Sequence, residues 1–196
     1  MTTMLRLLLI TFLTVAPTLA MAATWQIDPA HANIEFKVKH LMVAYVKGVF
    51  AKLEGTIEAD EADLSKAKVS VTIDTASIDT NNAKRDEHLR SPDFFDVANF
   101  PAMTFVSKRI VAGGGTVSQV IGDLTIRGVT REVTLEIAEL TPAIKDPWGN
   151  QRRGVTASAM VNRKEFGLTW NKVLEAGGVA VGDEVKISLD LELIKK

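Results

Sequence analysis

From Val185 to Leu193 every odd position is apolar (Val185, Ile187, Leu189, Leu191, Leu193), and the even positions are Lys186, Ser188, Asp190 and Glu192. Side chains leave a β-strand on alternate faces, so this spacing describes a strand with one face buried and one in water. Asn33–His40 repeats it, with Ile34, Phe36 and Val38 against Glu35, Lys37 and Lys39. Gly48–Ala59 reads as one strand with Val49, Ala51, Leu53 and Ile57 inward. Lys68–Asp74 follows with Val69, Val71 and Ile73 inward. Weaker alternation marks Met103–Val111, Val117–Ile126, Glu132–Leu140 and Val155–Val161. Gly113–Gly115 and Arg127-Gly128 supply the positive φ that tight hairpin turns require. The pattern predicts about eight strands in a single all-β domain.

Such strands close as a sandwich or as an up-and-down barrel, and local sequence does not separate the two. A barrel of about eight strands can be filled by its own side chains or can hold one small ligand. Gly154, Ala157 and Ala159 put little bulk on one strand, and aromatics make up only 6% of the chain, so slim aliphatics would line the interior. Both a hollow and a filled interior remain open at this level.

Composition removes several classes of function. With 23 Lys+Arg against 24 Asp+Glu, there is no basic excess to hold a phosphate backbone, so no nucleic-acid partner is expected. The absence of cysteine excludes disulfides, thiolate metal sites and thiol nucleophiles. At the N-terminus, Arg6 precedes the apolar run Leu7–Val15, and Ala20-Met21-Ala22 closes the segment. These are the parts of a secretory signal peptide, too short to span a bilayer, with cleavage predicted after Ala22. Residues 23–196 would then form an exported domain with no stable membrane insertion.

Between Thr75 and Pro101 the alternation lapses. Asn82 can cap a short helix over residues 82–90, and Ser91-Pro92 stops it. Phe94, Phe95 and Phe100 follow, so this connection reads as a plug in one end of the barrel or as an aromatic flap over its mouth.

The order of motifs resembles the YceI-like family. Trp25-x-Ile27-Asp28-x-x-His31 and Gly48-x-Phe50 match its opening. Arg85-Asp86-x-His88-Leu89-Arg90-Ser91-x-Asp93-Phe94-Phe95 and Leu124-Thr125-Ile126-x-Gly128-Val129-Thr130 match its middle. Asp146-Pro147-Trp148-Gly149 and Arg163-x-x-Phe166-Gly167-Leu168 complete it. The resemblance implies an extended, lipocalin-like, eight-stranded antiparallel β-barrel. It also implies a periplasmic carrier of a polyisoprenoid or similar long-chain lipid, a pyrophosphate or other polar head included, rather than an enzyme. Two departures bear on head-group preference: Ala32 stands where members often have Ser, and Lys164-Glu165 where many have Ser-Asp.

Strand parity nominates Phe36, Val38, Val71, Ile73, Leu189 and Leu191 as lumen lining. His40, Arg85, His88, Arg90, Phe94 and Trp170 are candidates for the mouth or the ligand head group. His31, His40 and His88 fit no compact metal-ligand spacing, and no cofactor or metal is expected. On a helix Arg85 would meet His88, and Asp86 would meet Arg90, as ion pairs. Trp148 reads as mouth packing. Small barrels often pair through a face or an edge, which admits a homodimer. The competing readings are a hydrolase acting on a lipid phosphate, with His88 or His40 as base, and a stress-induced interaction protein with an incidental cavity.

Overall fold

The computed structural model describes residues 23–175 and 177–196, so the expected signal segment 1–22 lies outside the described residues. The strands are β1 Ala23–His40, β2 Ala44–Phe50, β3 Leu53–Asp60, β4 Asp63–Asp74, β5 Ile78–Asp79, β6 Ala102–Gly113, β7 Thr116–Ile126, β8 Val129–Leu140, β9 Ile144–Lys145, β10 Gln151–Asn162 and β11 Val181–Lys195. One helix, α1, covers Ala83–Arg90, and 3-10 turns cover Thr75–Ser77 and Arg163–Phe166.

Eight of these strands form a closed antiparallel ring in the order β1-β3-β4-β6-β7-β8-β10-β11, with β11 returning to β1. The closing seam is long: Trp25 faces Lys195, Phe36 faces Ile187 and Val38 faces Val185. The β6–β7 hairpin turns at Gly114 and Gly115, with φ of 63° and 80°. The β7–β8 hairpin turns at Arg127-Gly128 with φ of 50° and 73°. Both follow the positive-φ chemistry of two-residue hairpins.

The stretch 48–59 departs from the single strand its pattern suggests. β2 pairs with the C-terminal half of β1 and β3 with the N-terminal end, and the chain breaks between them at Ala51-Lys52. At the break, the Ala51 and Lys52 amides donate to Ser77 O and Ser77 Oγ instead of to a neighbouring strand. An irregularity of this kind reverses which parity faces inward. Before it Gly48 and Phe50 are buried; after it Leu53 and Ala59 are buried, and Ala51 is exposed. Inward placement of Val49 and Ala51 is therefore corrected.

Two apolar clusters line the interior of the barrel. Trp25, Ile27, Ile34, Phe50, Ile78 and Leu193 belong to one; Phe94, Phe105, Val120, Val133, Phe166 and Leu168 belong to the other. Val71 and Ile187 touch both. Trp148 is 80% exposed, contrary to packing at the mouth. It rides on a tight turn in which Asp146 accepts from the Trp148 and Asn150 amides, which aims the indole outward.

Candidate binding lumen

A cavity of about 270 Å³ runs inside the ring. Phe36 and Val38 of β1, Val71 and Ile73 of β4, and Leu189 and Leu191 of β11 all line it. So do Val155, Ala157 and Val161 of β10, where alanine leaves room that a larger side chain would fill. Aromatic rings are more prominent in the wall than sparse composition suggests, since Trp25, Phe50, Phe105 and Phe166 join Phe36 there. The wall is apolar throughout, and Arg153 and Arg163 take part in it through the carbon stems of their side chains.

At one end α1 closes the barrel. The Asn82 side chain caps the helix by accepting from the Arg85 amide. Leu89, Phe94 and Phe95 then form part of the lumen wall, so this connection is a floor as well as a plug. Arg85 and Arg90 do not form the expected intrahelical ion pairs. Arg85 donates to Thr80 Oγ1 and Thr80 O, and Arg90 donates to Ala76 O and Ile78 O. Buried Asp86 accepts from both the amide and the hydroxyl of Thr80. Carbonyls of the 76–80 segment, held in place beside the helix, take the guanidinium bonds in place of the helix neighbours. His88 donates to or shares a proton with Asp93 at 2.8 Å and packs edge-on to Trp170, with centroids 4.8 Å apart. Phe94 completes that aromatic group at 5.2 Å from Trp170. Neither His88, Trp170 nor His40 lines the cavity. His40 ends β1 opposite Ala44 and Val181.

Arg163 serves this same end structurally. Its guanidinium donates to Gly182 O, Leu168 O, Trp170 O and Val181 O, with Asp183 3.5 Å away. Burial pulls its pKa down from the ordinary arginine value.

The opposite end is built differently. Arg153 lies over the Trp25 ring at 4.9 Å, and its Nη2 is 3.5 Å from Glu61 Oε2 on the β3–β4 turn. Its neighbour Arg152 points outward and binds Asp28, Asp146 and Glu192 at 2.6 to 2.8 Å. Arg152 and then His31 hold Asp28 at about 2, below its usual 3.8. Arg152 likewise holds Asp146 well below the usual carboxylate range, and those carboxylates raise Arg152 in return. Asp28, His31 and Glu192 could in principle converge on a cation. The guanidinium already supplies the positive charge there, and a metal would have to displace it. His31 at this end and His88 at the other share no site.

Arg153 does not stand out in the sequence, and Arg163 does so only as the first residue of a family motif, because alternation around β10 is clear only over Val155–Val161. Extending that inward parity by one step at each end would have found both Arg153 and Arg163.

Residues 25–193 match the YceI-like domain. The chain belongs to the YceI-like family. A UPF0312 protein of Staphylococcus aureus is 41% identical over 166 residues, covering 84% of this chain and 94% of the relative. Its Staphylococcus epidermidis counterpart is 43% identical over the same span. Among solved structures, Burkholderia cenocepacia BcnA superposes with a TM-score of 0.73 at 25% identity, over 85% of this chain and 98% of that one. The Campylobacter jejuni YCEI protein gives 0.65 at 30% identity, over 81% and 90%. A polyisoprenoid binding domain from Saccharophagus degradans, 16% identical, shares the fold with a TM-score of 0.64, over 88% of this chain and 98% of that one. This YceI-like chain therefore has the lipocalin-like barrel its motifs imply.

Proposed function

We propose that this YceI-like protein is a periplasmic carrier that holds a long apolar chain, a polyisoprenoid or similar lipid, in its lumen and performs no catalysis. The observation that carries the reading is the continuous apolar cavity within a closed ring of strands. Each methylene moved from water into it contributes roughly 0.8 kcal/mol. A tail of about twenty carbons offers a gross gain on the order of 15 kcal/mol, of which ordering costs cancel much. The polyisoprenoid-binding neighbour from Saccharophagus degradans supports the same ligand class. The N-terminal segment supports export, with the exported form beginning at Ala23.

Catalysis finds little support in the side chains. His88 is tied to Asp93 and the aromatic group, His40 ends a strand, and neither lines the cavity. The test is titration of the delipidated protein with an environment-sensitive apolar dye, followed by displacement with prenyl alcohols of increasing length. Saturable binding at one site, with longer chains displacing better, is the expected result. No binding, or turnover of a lipid phosphate that is lost in His88→Ala, would overturn it.

A further inference from the structure

We propose that the β1–β2 turn and the lysines behind it form a surface that docks reversibly on an anionic lipid bilayer, with Leu41, Met42 and Val43 entering its boundary. The surface lies outside the lumen and works whether or not the lumen holds a ligand.

Three apolar side chains occupy the tip between β1 and β2. The Val43 amide donates to His40 O at 3.1 Å, which closes a turn with Leu41 and Met42 at its centre. Both take positive φ, 49° and 60°. Residues with a Cβ resist that region, and leucine and methionine have no short polar side chain to compensate. The β6–β7 and β7–β8 hairpins of the same chain meet this demand with Gly114-Gly115 and Arg127-Gly128. Here apolar side chains are kept in a turn that folding alone would fill with Asn-Gly. Their exposure rises along the tip, from 41% at Leu41 to 79% at Val43. The 171–180 loop lies against the tip: Leu41 N donates to Ala180 O at 2.8 Å, and a Cβ on Gly178 would stand 3.1 Å from Met42 Cγ. Val173 of that loop, bridged to Val179, adds a fourth apolar side chain and is 85% exposed.

Behind the tip the outer face is basic. Strand pairing sets Lys47 of β2, Lys37 of β1 and Lys186 of β11 in one row. Lys39 lies nearer the turn, and the Lys37 and Lys39 ammoniums both stand over the Tyr45 ring, at 4.2 and 4.4 Å. The acids of residues 35–40, β2 and residues 181–188 are Glu35, Asp183 and Glu184. Glu35 is taken by Lys47 at 3.0 Å and Asp183 by Lys164 at 2.8 Å. Among the described residues Lys37, Lys39 and Lys186 form no ion pair, which leaves three lysines against the one free acid, Glu184. In the neighbouring loop Lys172 balances Glu175.

An apolar tip backed by unpaired ammoniums matches the boundary of an anionic bilayer. Its apolar side chains enter among the acyl chains there, while the lysines meet lipid phosphates. A second copy is the poorer match, because a twofold contact through this face sets the lysine row against itself. The tip belongs to the α1 end of the barrel. Val181 pairs with His40, and Arg163 donates to both Val181 O and Trp170 O, whose ring packs on His88 of α1. Docking therefore presents that end of the barrel to the membrane.

The test is flotation of the form beginning at Ala23, which holds the whole barrel, with vesicles of phosphatidylcholine alone or mixed equally with phosphatidylglycerol. The wild type should bind the anionic vesicles at least about tenfold more tightly, and lose that preference in molar salt. Leu41→Asn with Met42→Gly should weaken binding at least about tenfold and melt no lower than the wild type, because both replacements suit the turn. Lys37→Gln with Lys186→Gln should bring the two vesicle affinities within about threefold of each other. If the turn variant melts lower, the lysine variant decides alone. No anionic preference in the wild type, or a preference that the lysine variant keeps, overturns the proposal; so does full binding by the turn variant. Absence of vesicle binding, with a dimer that the turn substitutions dissociate, would assign the patch to a second copy instead.

Discussion

Asp86 is the residue that most clearly holds the floor of the barrel in place. It is 7% exposed, and one carboxylate oxygen takes both the amide and the hydroxyl of Thr80. Asp86→Ala leaves those two donors in a buried place without an acceptor, which costs about 1–3 kcal/mol and should appear as a lower midpoint in urea unfolding. The Arg152 network gives a pH signature. Asp28 is held at about 2 against an ordinary 3.8, and Asp146 is also held low. A carboxyl lowered by folding adds stability above its unfolded value, and that contribution fades as pH falls through the folded one. The melting temperature should therefore begin to drop below pH 3.8 and continue toward 2. Arg152→Met should melt lower at neutral pH and show a flatter acid limb, as read by thermal scans at each pH. Little of this chemistry was legible beforehand. Arg152 and its acids are 124, 6 and 40 residues apart in the chain, and Asp28, the farthest, is brought in only by barrel closure. The Arg85-Asp86-x-His88 run announced itself in the sequence, yet its partners are carbonyls and a hydroxyl, which no side-chain spacing rule anticipates.

β10 shows at the scale of an element how emptiness is specified. Its inward positions run Arg153, Val155, Ala157, Ala159 and Val161, small in the middle, with Arg163 in the turn that follows. Ala157→Phe should fill space rather than break packing, so its stability should change by less than the 1–3 kcal/mol typical of an overpacked core. Binding of an apolar dye should fall at least tenfold, and unchanged binding would place the ligand elsewhere. Gly48 is the opposite case. A Cβ there would meet Phe36 Cζ at 2.5 Å and Thr80 Cγ2 at 2.7 Å, so Gly48→Ala should displace the Phe36 ring and lower stability measurably in thermal melts. The strands themselves were largely visible in their period of two, β11 most plainly. The break at Ala51-Lys52 was not, because β2 and β3 each alternate correctly and only their phases differ. Ser77, which takes up the amides at the break, lies 25 residues beyond Lys52.

For the whole molecule the governing fact is the seam between β1 and β11, which joins the first and last strands along most of their length. Local patterning leaves sandwich and barrel equal, since both bury one face of every strand. The order of family motifs pointed to the barrel, and pairing of Trp25 with Lys195 completes it. Among the described residues a closed ring lined by apolar side chains leaves about 270 Å³ inside, and an apolar cavity favours an apolar guest. The most direct test is native mass spectrometry of the protein isolated gently from the cells that make it. The predicted spectrum shows the polypeptide beginning at Ala23 with one bound molecule of several hundred daltons or more, removed by organic extraction and recovered as a long-chain lipid. A bare polypeptide in every preparation, which also refuses added long-chain lipids, would contradict the account.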